Sequence, residues 1–215
     1  MTGVQTCALP ICIANLTAVL TAAPSWNTPS DPALEERFRR VKAKLEGYVM
    51  PPERTLRDFP DTDTSIYAHY ARAYAYHKAG YPDKADAESL ALIKAKPDDP
   101  YFQEIRGQIL LEAGKPADAI APLRAATEGS RNNPLIATTF GHALIATEDK
   151  THYPEAIRVL RVATGRDDQN PFAWYQLGTA YELTGDTARA ALATAERASR
   201  SEEHTSELQS RQVTS

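Results

Sequence analysis

The sequence predicts an all-α chain: a solenoid of about four helical hairpins preceded by two or three non-repeating helices. Three observations carry this. Apolar residues recur at helical rather than alternating spacing, and runs of β-branched residues are absent. A small residue returns at Ala73, Gly107, Gly141 and Gly178, at intervals of 34, 34 and 37 residues. A second small residue keeps step at Ala85, Ala119, Ala156 and Ala190, twelve positions later in three hairpins and fifteen later in the third. Helices that cross closely leave room only for Gly or Ala at the contact, and a fixed period near 34 residues marks stacked helix pairs.

Residues 13–23 place Ile13, Leu16, Val19 and Leu20 on one face of a short helix that Pro24 stops. Asp31 caps the next helix, with Pro32 in its first turn and Glu35 and Glu36 near its positive end. Its buried stripe is expected to be Leu34, Phe38, Val41 and Leu45. Arg37, Arg39, Arg40, Lys42 and Lys44 form a solvated face beside Glu35, Glu36 and Glu46. Gly47 and the Pro51-Pro52 pair end that helix. Residues 53–59 form a short helix before Pro60, and Asp61-Thr-Asp-Thr64 supplies caps for the first repeat.

The repeats occupy residues 65–99, 100–133, 134–170 and 171–199. Pro100, Pro134 and Pro171 stand at first-helix starts, where a missing N–H is harmless. Gly80, Gly114 and Gly185 end three first helices. The third hairpin takes its three extra residues in the turn Glu148-Asp-Lys-Thr-His-Tyr-Pro154. Tyr76, Leu110, Leu144 and Tyr181 recur as the next apolar position, and Trp174, Leu177 and Tyr181 surround the crossing of Gly178 with Ala190.

Composition bounds the function. At 42% hydrophobic and 24% charged residues, the chain is long enough for a real core. A formal charge of -4 leaves no basic face for nucleic acid or an anionic membrane. No HExxH, CxxC, GxSxG or Gly-rich phosphate loop occurs between Ile13 and Ser199, so no catalysis and no cofactor is expected. His69, His77 and His142 lack a third ligand for a metal and are expected to make ordinary hydrogen bonds.

The stretch Asn170-Pro-Phe-Ala-Trp-Tyr-Gln-Leu-Gly-Thr-Ala-Tyr181, with Gly185-Asp186 and the alanines that follow, resembles a tetratricopeptide repeat. In that family the first helix of each repeat lines an inner groove. The resemblance implies groove positions Tyr67, Tyr70, Tyr74, His77 and Lys78, then Tyr101, Glu104, Gln108, Leu111 and Glu112. Leu135, Thr138, His142 and Ile145 follow, then Phe172, Tyr175, Thr179 and Glu182. Tyrosine joins a large apolar face to a hydroxyl, which suits an extended or helical protein segment. About half of these tyrosines are expected to pack between repeats instead. Clamps for acidic chaperone tails carry Lys and Asn where this groove has Tyr70, Tyr74 and Glu104, so that ligand is not expected.

The segment before the repeats narrows the resemblance. Ile13-Ala-Asn-Leu-Thr-Ala, the loop Pro24-Ser-Trp-Asn-Thr-Pro, the helix from Asp31 to Leu45 and Tyr70-Ala-Arg-Ala-Tyr-Ala-Tyr76 resemble the C-terminal half of bacterial periplasmic zinc metallopeptidases of the β-barrel assembly-enhancing type. So do Tyr101-Phe-Gln-Glu-Ile-Arg-Gly-Gln-Ile-Leu-Leu-Glu112 and Phe140-Gly-His-Ala-Leu144. The resemblance implies a periplasmic parent whose N-terminal HExxH domain holds zinc, and whose repeats cup against that domain and engage outer-membrane assembly machinery or substrate. No zinc ligand of that family falls on this chain. A self-standing adaptor, with residues 13–60 as its cap, is the alternative.

Both ends resemble translated sequencing adapter. Thr2-Gly-Val-Gln-Thr-Cys-Ala-Leu-Pro-Ile11 matches one strand, and Arg200-Ser-Glu-Glu-His-Thr-Ser-Glu-Leu-Gln-Ser210 matches its reverse complement. Residues 1–12 and 200–215 are therefore set apart from the fold, Cys7 and Cys12 carry no redox meaning, and no targeting signal is assigned. The natural chain is expected to continue past Ser199, and residues 200–215 to be disordered or a frayed extension.

Overall fold

The computed structural model describes residues 31–213, with side chains through residue 201. It divides into two compact units, Met1–Val41 and Lys42–Ser215. The helix expected at residues 13–23 and the loop after it lie outside the described residues.

Helix α1, Pro32–Val49, begins in the first unit. There the Asp31 carboxylate accepts from the Ala33 amide at 2.9 Å, and Arg39 pairs with Glu35 at 2.9 Å. The expected apolar stripe is not buried. Leu34, Phe38, Val41 and Leu45 are all more than half exposed. The residues that α1 buries are Ala43 and Gly47, on the opposite face. Gly47 also does not end the helix. A Cβ there would lie 2.5 Å from the carbonyl oxygen of Ala71, so its role is close approach to the first repeat.

The second unit continues with α2 (Pro52–Asp58), α3 (Ile66–Lys78), α4 (Pro82–Ala95), α5 (Pro100–Glu112) and α6 (Pro116–Gly129). Then come α7 (Pro134–Ala146), α8 (Tyr153–Arg166), α9 (Pro171–Leu183) and α10 (Thr187–Val213). Each first helix (α3, α5, α7, α9) packs on the second helix of its own repeat, and each second helix packs on the next first helix. First helices also meet directly, α5 with α7 and α7 with α9. Two clusters fill the interior, one running from Leu110 to Ala190 and one around Tyr70, Leu92, Phe102 and Ile105.

The repeat boundaries fall where the prolines place them. Asp99, Asn133 and Asn170 cap α5, α7 and α9, accepting from the amides of Tyr101, Leu135 and Phe172 at 3.0–3.1 Å. The first repeat is capped by Ser65, whose hydroxyl accepts from Ala68 N at 3.2 Å, while Asp63 holds the Ser65 amide at 2.9 Å. Three hairpins turn through left-handed Gly80, Gly114 and Gly185. The third places Glu148 in the left-handed region at φ 57°, a cost of about 1–2 kcal/mol for an L-residue, and takes its extra length as a 3₁₀ turn at Lys150–His152.

The tightest contacts lie at Gly107 and Gly141. A Cβ on Gly107 would meet Leu123 Cγ at 2.4 Å, and one on Gly141 would meet Leu160 Cγ at 2.4 Å. Both leucines are fully buried and come four residues after Ala119 and Ala156. Ser89 and Thr194 occupy the equivalent positions in the first and last repeats. At Gly178 the nearest side-chain atom to an added Cβ is Ala193 Cβ at 3.5 Å, ordinary van der Waals contact. The crossing expected between Gly178 and Ala190 is thus the roomiest of the three.

Arg72 was not singled out by the repeat register, yet it is 2% exposed. Its Nε and Nη2 donate to the two Glu88 carboxylate oxygens at 2.8 and 3.0 Å, and Nη1 donates to the carbonyls of Pro60 and Asp63 at 2.9 and 2.8 Å. This bidentate pair ties the α2–α3 linker to the first hairpin.

Of the two outcomes expected for residues 200–215, a disordered tail or an extension of the last helix, the structure shows the extension: α10 runs to Val213. No Gly or Pro occurs from 187 to 213, and Ala, Glu, Gln, Leu and Arg favour helix. Arg200 secures the continuation through Glu196 at 2.5 Å and the Asp168 carbonyl at 3.1 Å.

Gly107→Ala and Gly141→Ala should each cost about 1–3 kcal/mol in urea unfolding, while Gly178→Ala should be neutral or gain up to about 1 kcal/mol. Equal shifts at all three would contradict the crossing geometry. Arg72→Met should cost about 3–5 kcal/mol by removing the bidentate partner of Glu88, which keeps only His69 at 2.5 Å, and by leaving the Pro60 and Asp63 carbonyls without their donor, read from the same titration.

Candidate functional site

Two groups of side chains gather on the first helices. The first lies where α1, α3 and α5 end, around an open pocket of about 640 Å³ lined by Tyr48, Tyr74, His77, Lys78, Gln108 and Glu112. Gly47 lets the end of α1 approach α3, and the Tyr48 ring then meets Tyr74 edge-on with centroids 6.1 Å apart. Lys78 crosses to the C-terminus of α1, donating to the carbonyls of Tyr48, Val49 and Met50 at 3.0, 3.4 and 3.2 Å. Between α3 and α5, His77 Nε2 lies 2.6 Å from Glu112 Oε2, and Gln108 Nε2 donates to Glu112 Oε1 at 2.9 Å. Lys44 pairs with Glu104 at 3.4 Å and lies 5.7 Å from the centre of the Tyr74 ring.

Tyr74 is 5% exposed and its hydroxyl makes no hydrogen bond. Burial pushes the phenol far above its ordinary range, and neighbouring Tyr70 and the Glu104 and Glu112 carboxylates push the same way. The group stays protonated at any physiological pH.

The second group lies on α7 and α9. His142 meets Phe172 edge-on at 5.6 Å, Phe172 stacks on Tyr175 at 6.4 Å, and the Arg197 guanidinium lies 5.0 Å from the Tyr175 ring centre. Phe172 and Tyr175 keep nearly half their surface in solvent. Burial lowers the His142 pKa, opposed by the Glu112 charge, so the imidazole is neutral at pH 7.

The predicted groove residues divide accordingly. Tyr70, Tyr74 and Thr138 are buried, a correction to their expected place on an open groove. The Tyr70 ring packs between those of Tyr74 and Phe102 at 5.6 and 5.4 Å. Thr138 turns its hydroxyl back to the Pro134 carbonyl at 2.7 Å, and Thr179 does the same to Tyr175 at 3.1 Å. Tyr67, His77, Gln108, His142 and Thr179 are half-buried; Tyr101, Glu112, Tyr175 and Glu182 are exposed. Tyr101 and Glu182 join neither group. Tyr48 and Arg197 were missed, because the repeat register assigns the groove to first helices alone.

Among the described residues, no three His, Cys, Asp or Glu side chains are placed to hold a metal ion. Nor is any helix there long and apolar enough to cross a membrane.

The Tetratricopeptide repeat family model matches residues 70–134 and 146–203, more than half of the 215-residue chain. The chain belongs to the tetratricopeptide repeat family. Comparison with curated proteins finds no match. Among solved structures, MamA MSR-1 is similar at 17% identity with a TM-score of 0.62, over 80% of this chain and 99% of that one. MamA AMB-1 is similar at 16% identity with a TM-score of 0.66, over 77% of this chain and 99% of that one. YrrB, described as "a TPR protein with an unusual peptide-binding site", is similar at 20% identity with a TM-score of 0.63, over 84% and 96%. At these identities the likeness is one of fold.

Tyr70 and Tyr74 are both buried, but of the two only the Tyr74 hydroxyl lacks a hydrogen-bond partner. Tyr70→Ala should cost about 3–5 kcal/mol in denaturant unfolding, as expected for emptying an aromatic core position. Tyr74→Phe should leave stability unchanged or raise it, because it removes a buried hydroxyl that has no partner.

Proposed function

We propose that this chain is a protein–protein interaction module that holds an extended or helical segment of a partner along its first helices. The observation that carries the reading is the half-exposed aromatic surface of Phe172 and Tyr175, with Tyr101 likewise exposed on α5. Such rings bury large apolar area at low entropic cost, and the two tyrosines add a hydroxyl, a combination concentrated at binding hot spots. Membership of a repeat family built of stacked hairpins supports it. Panning a displayed peptide library against the chain tests it. The double variant Tyr101→Ala, Tyr175→Ala should lose the captured peptides while its stability stays within about 0.5 kcal/mol per site, as for exposed positions. Undiminished capture by that variant would sink the assignment of the face.

A finer reading takes the module as the interaction half of a periplasmic zinc metallopeptidase acting in outer-membrane protein assembly or quality control. Its support is the resemblance of the pre-repeat segment. In this reading zinc and peptide-bond hydrolysis belong to a separate catalytic domain, which is also a partner of the repeats. Sequencing the genomic locus across the codons for Ile13 and Ser199 without adapter ligation tests it, and tests the adapter resemblance of residues 1–12 and 200–215. An upstream in-frame HExxH favours the peptidase; a start codon and signal sequence close to Ile13 favours a self-standing adaptor. Chelator-sensitive cleavage of casein by the chain itself would contradict both.

A further inference from the structure

We infer that the pocket at the ends of α1, α3 and α5 receives an arginine side chain of the bound segment; this rests on the peptide-binding reading of the first-helix face and names the chemistry it selects. Every lining residue lies in the last turns of its helix: Tyr48 on α1, Tyr74, His77 and Lys78 on α3, Gln108 and Glu112 on α5. Helix C-termini carry partial negative charge, and here three of them meet around one space. The Glu112 carboxylate adds a full charge and is half exposed.

The cations nearby are already committed. Lys78 has three protons and meets three carbonyls at the end of α1. Lys44 is paired with Glu104. His77 already faces Glu112. An acidic ligand would therefore find no free positive group among the lining residues.

Acceptors, by contrast, are in surplus. Glu112 engages two of roughly four acceptor sites. Gln108 spends its amide nitrogen on Glu112, which leaves its carbonyl oxygen. Tyr74 lines the same wall, but its buried hydroxyl is not among the acceptors open to a ligand. A guanidinium carries five N–H donors in one plane and stacks on aromatic faces, which the Tyr48 and Tyr74 rings supply. An ammonium has only three donors and a larger hydration cost. The open space of about 640 Å³ is ample for an arginine side chain.

The test is amide chemical-shift titration of the isotope-labelled full chain with three acetylated, amidated pentapeptides, Gly-Ser-Xaa-Ser-Gly, in which Xaa is arginine, citrulline or glutamate. The arginine peptide should shift the amides of His77, Gln108 and Glu112, and citrulline, which keeps the shape without the charge, should bind at least about tenfold more weakly. Glu112→Gln, at an exposed position, should lose a similar factor for the arginine peptide. Equal binding of citrulline, preference for glutamate, or arginine-induced shifts confined to α7 and α9 would overturn the arginine pocket while leaving the peptide-binding face in place. If all three peptides leave every first-helix amide unmoved at millimolar concentration while library peptides still shift them, the arginine pocket alone falls. If library peptides leave them unmoved too, both readings fall.

Discussion

The structure depends on how closely two helices of a hairpin approach, and that distance is set by what is missing from α5 and α7. With hydrogen in place of Cβ at Gly107 and Gly141, Leu123 and Leu160 lie directly over the backbone of the facing helix. Interiors are packed at crystal-like density, so a leucine seated there fills the space that a side chain on the first helix would need. The second helix thereby delivers the large group and the first helix the groove. Because each hairpin then offers its neighbour a flat, filled side, stacking follows, and the outer faces of α3, α5, α7 and α9 are left to solvent or ligand. The helices proposed to carry the binding surface are the ones this packing constraint leaves partly uncovered.

Helix α1 uses the same device for a different end. Gly47 lets its backbone approach the Ala71 carbonyl, and once there α1 covers the face that the first repeat would otherwise expose. Tyr74 is covered from this side, while Tyr70 packs between Tyr74 and Phe102. Tyr48 closes over Tyr74, and Lys78 holds the new helix end through its last carbonyls. A surface that elsewhere in the chain would be a shallow groove becomes a pocket here.

Much of this architecture is legible from residue spacing alone. Proline at helix starts, glycine after helix ends and the shared register of small residues are local signals, each tied to backbone geometry, and they placed all four hairpins and the three-residue extension. What escaped is what depends on partners distant in sequence. The apolar stripe of Leu34, Phe38, Val41 and Leu45 obeys the rule that large apolar groups mark the buried face, yet the closest contact of α1 selects small residues instead. Arg72 carries no pattern that separates it from a surface arginine until Glu88 and the Pro60 and Asp63 carbonyls surround it. Tyr70 and Tyr175 occupy the same repeat position, and it is the rings of Tyr74 and Phe102 packed against Tyr70 that make it core. Between a disordered tail and an extension past residue 200 the residue pattern did not decide, because a polar sequence without Gly or Pro can extend an existing helix without a core of its own, propagation being far easier than nucleation.

The two groups on the first helices differ in what they lack. At Tyr175 a cation is already in place, since Arg197 lies over the ring, and the exposed Phe172 beside it offers apolar area rather than unmet polar groups. At Glu112 and Tyr74 the balance is reversed: acceptors outnumber the donors that reach them, and one hydroxyl is buried with none. The first group therefore rewards contact area and the second rewards donors. A segment that meets both needs an apolar residue and an arginine at a fixed separation, which is a stricter requirement than either group imposes alone.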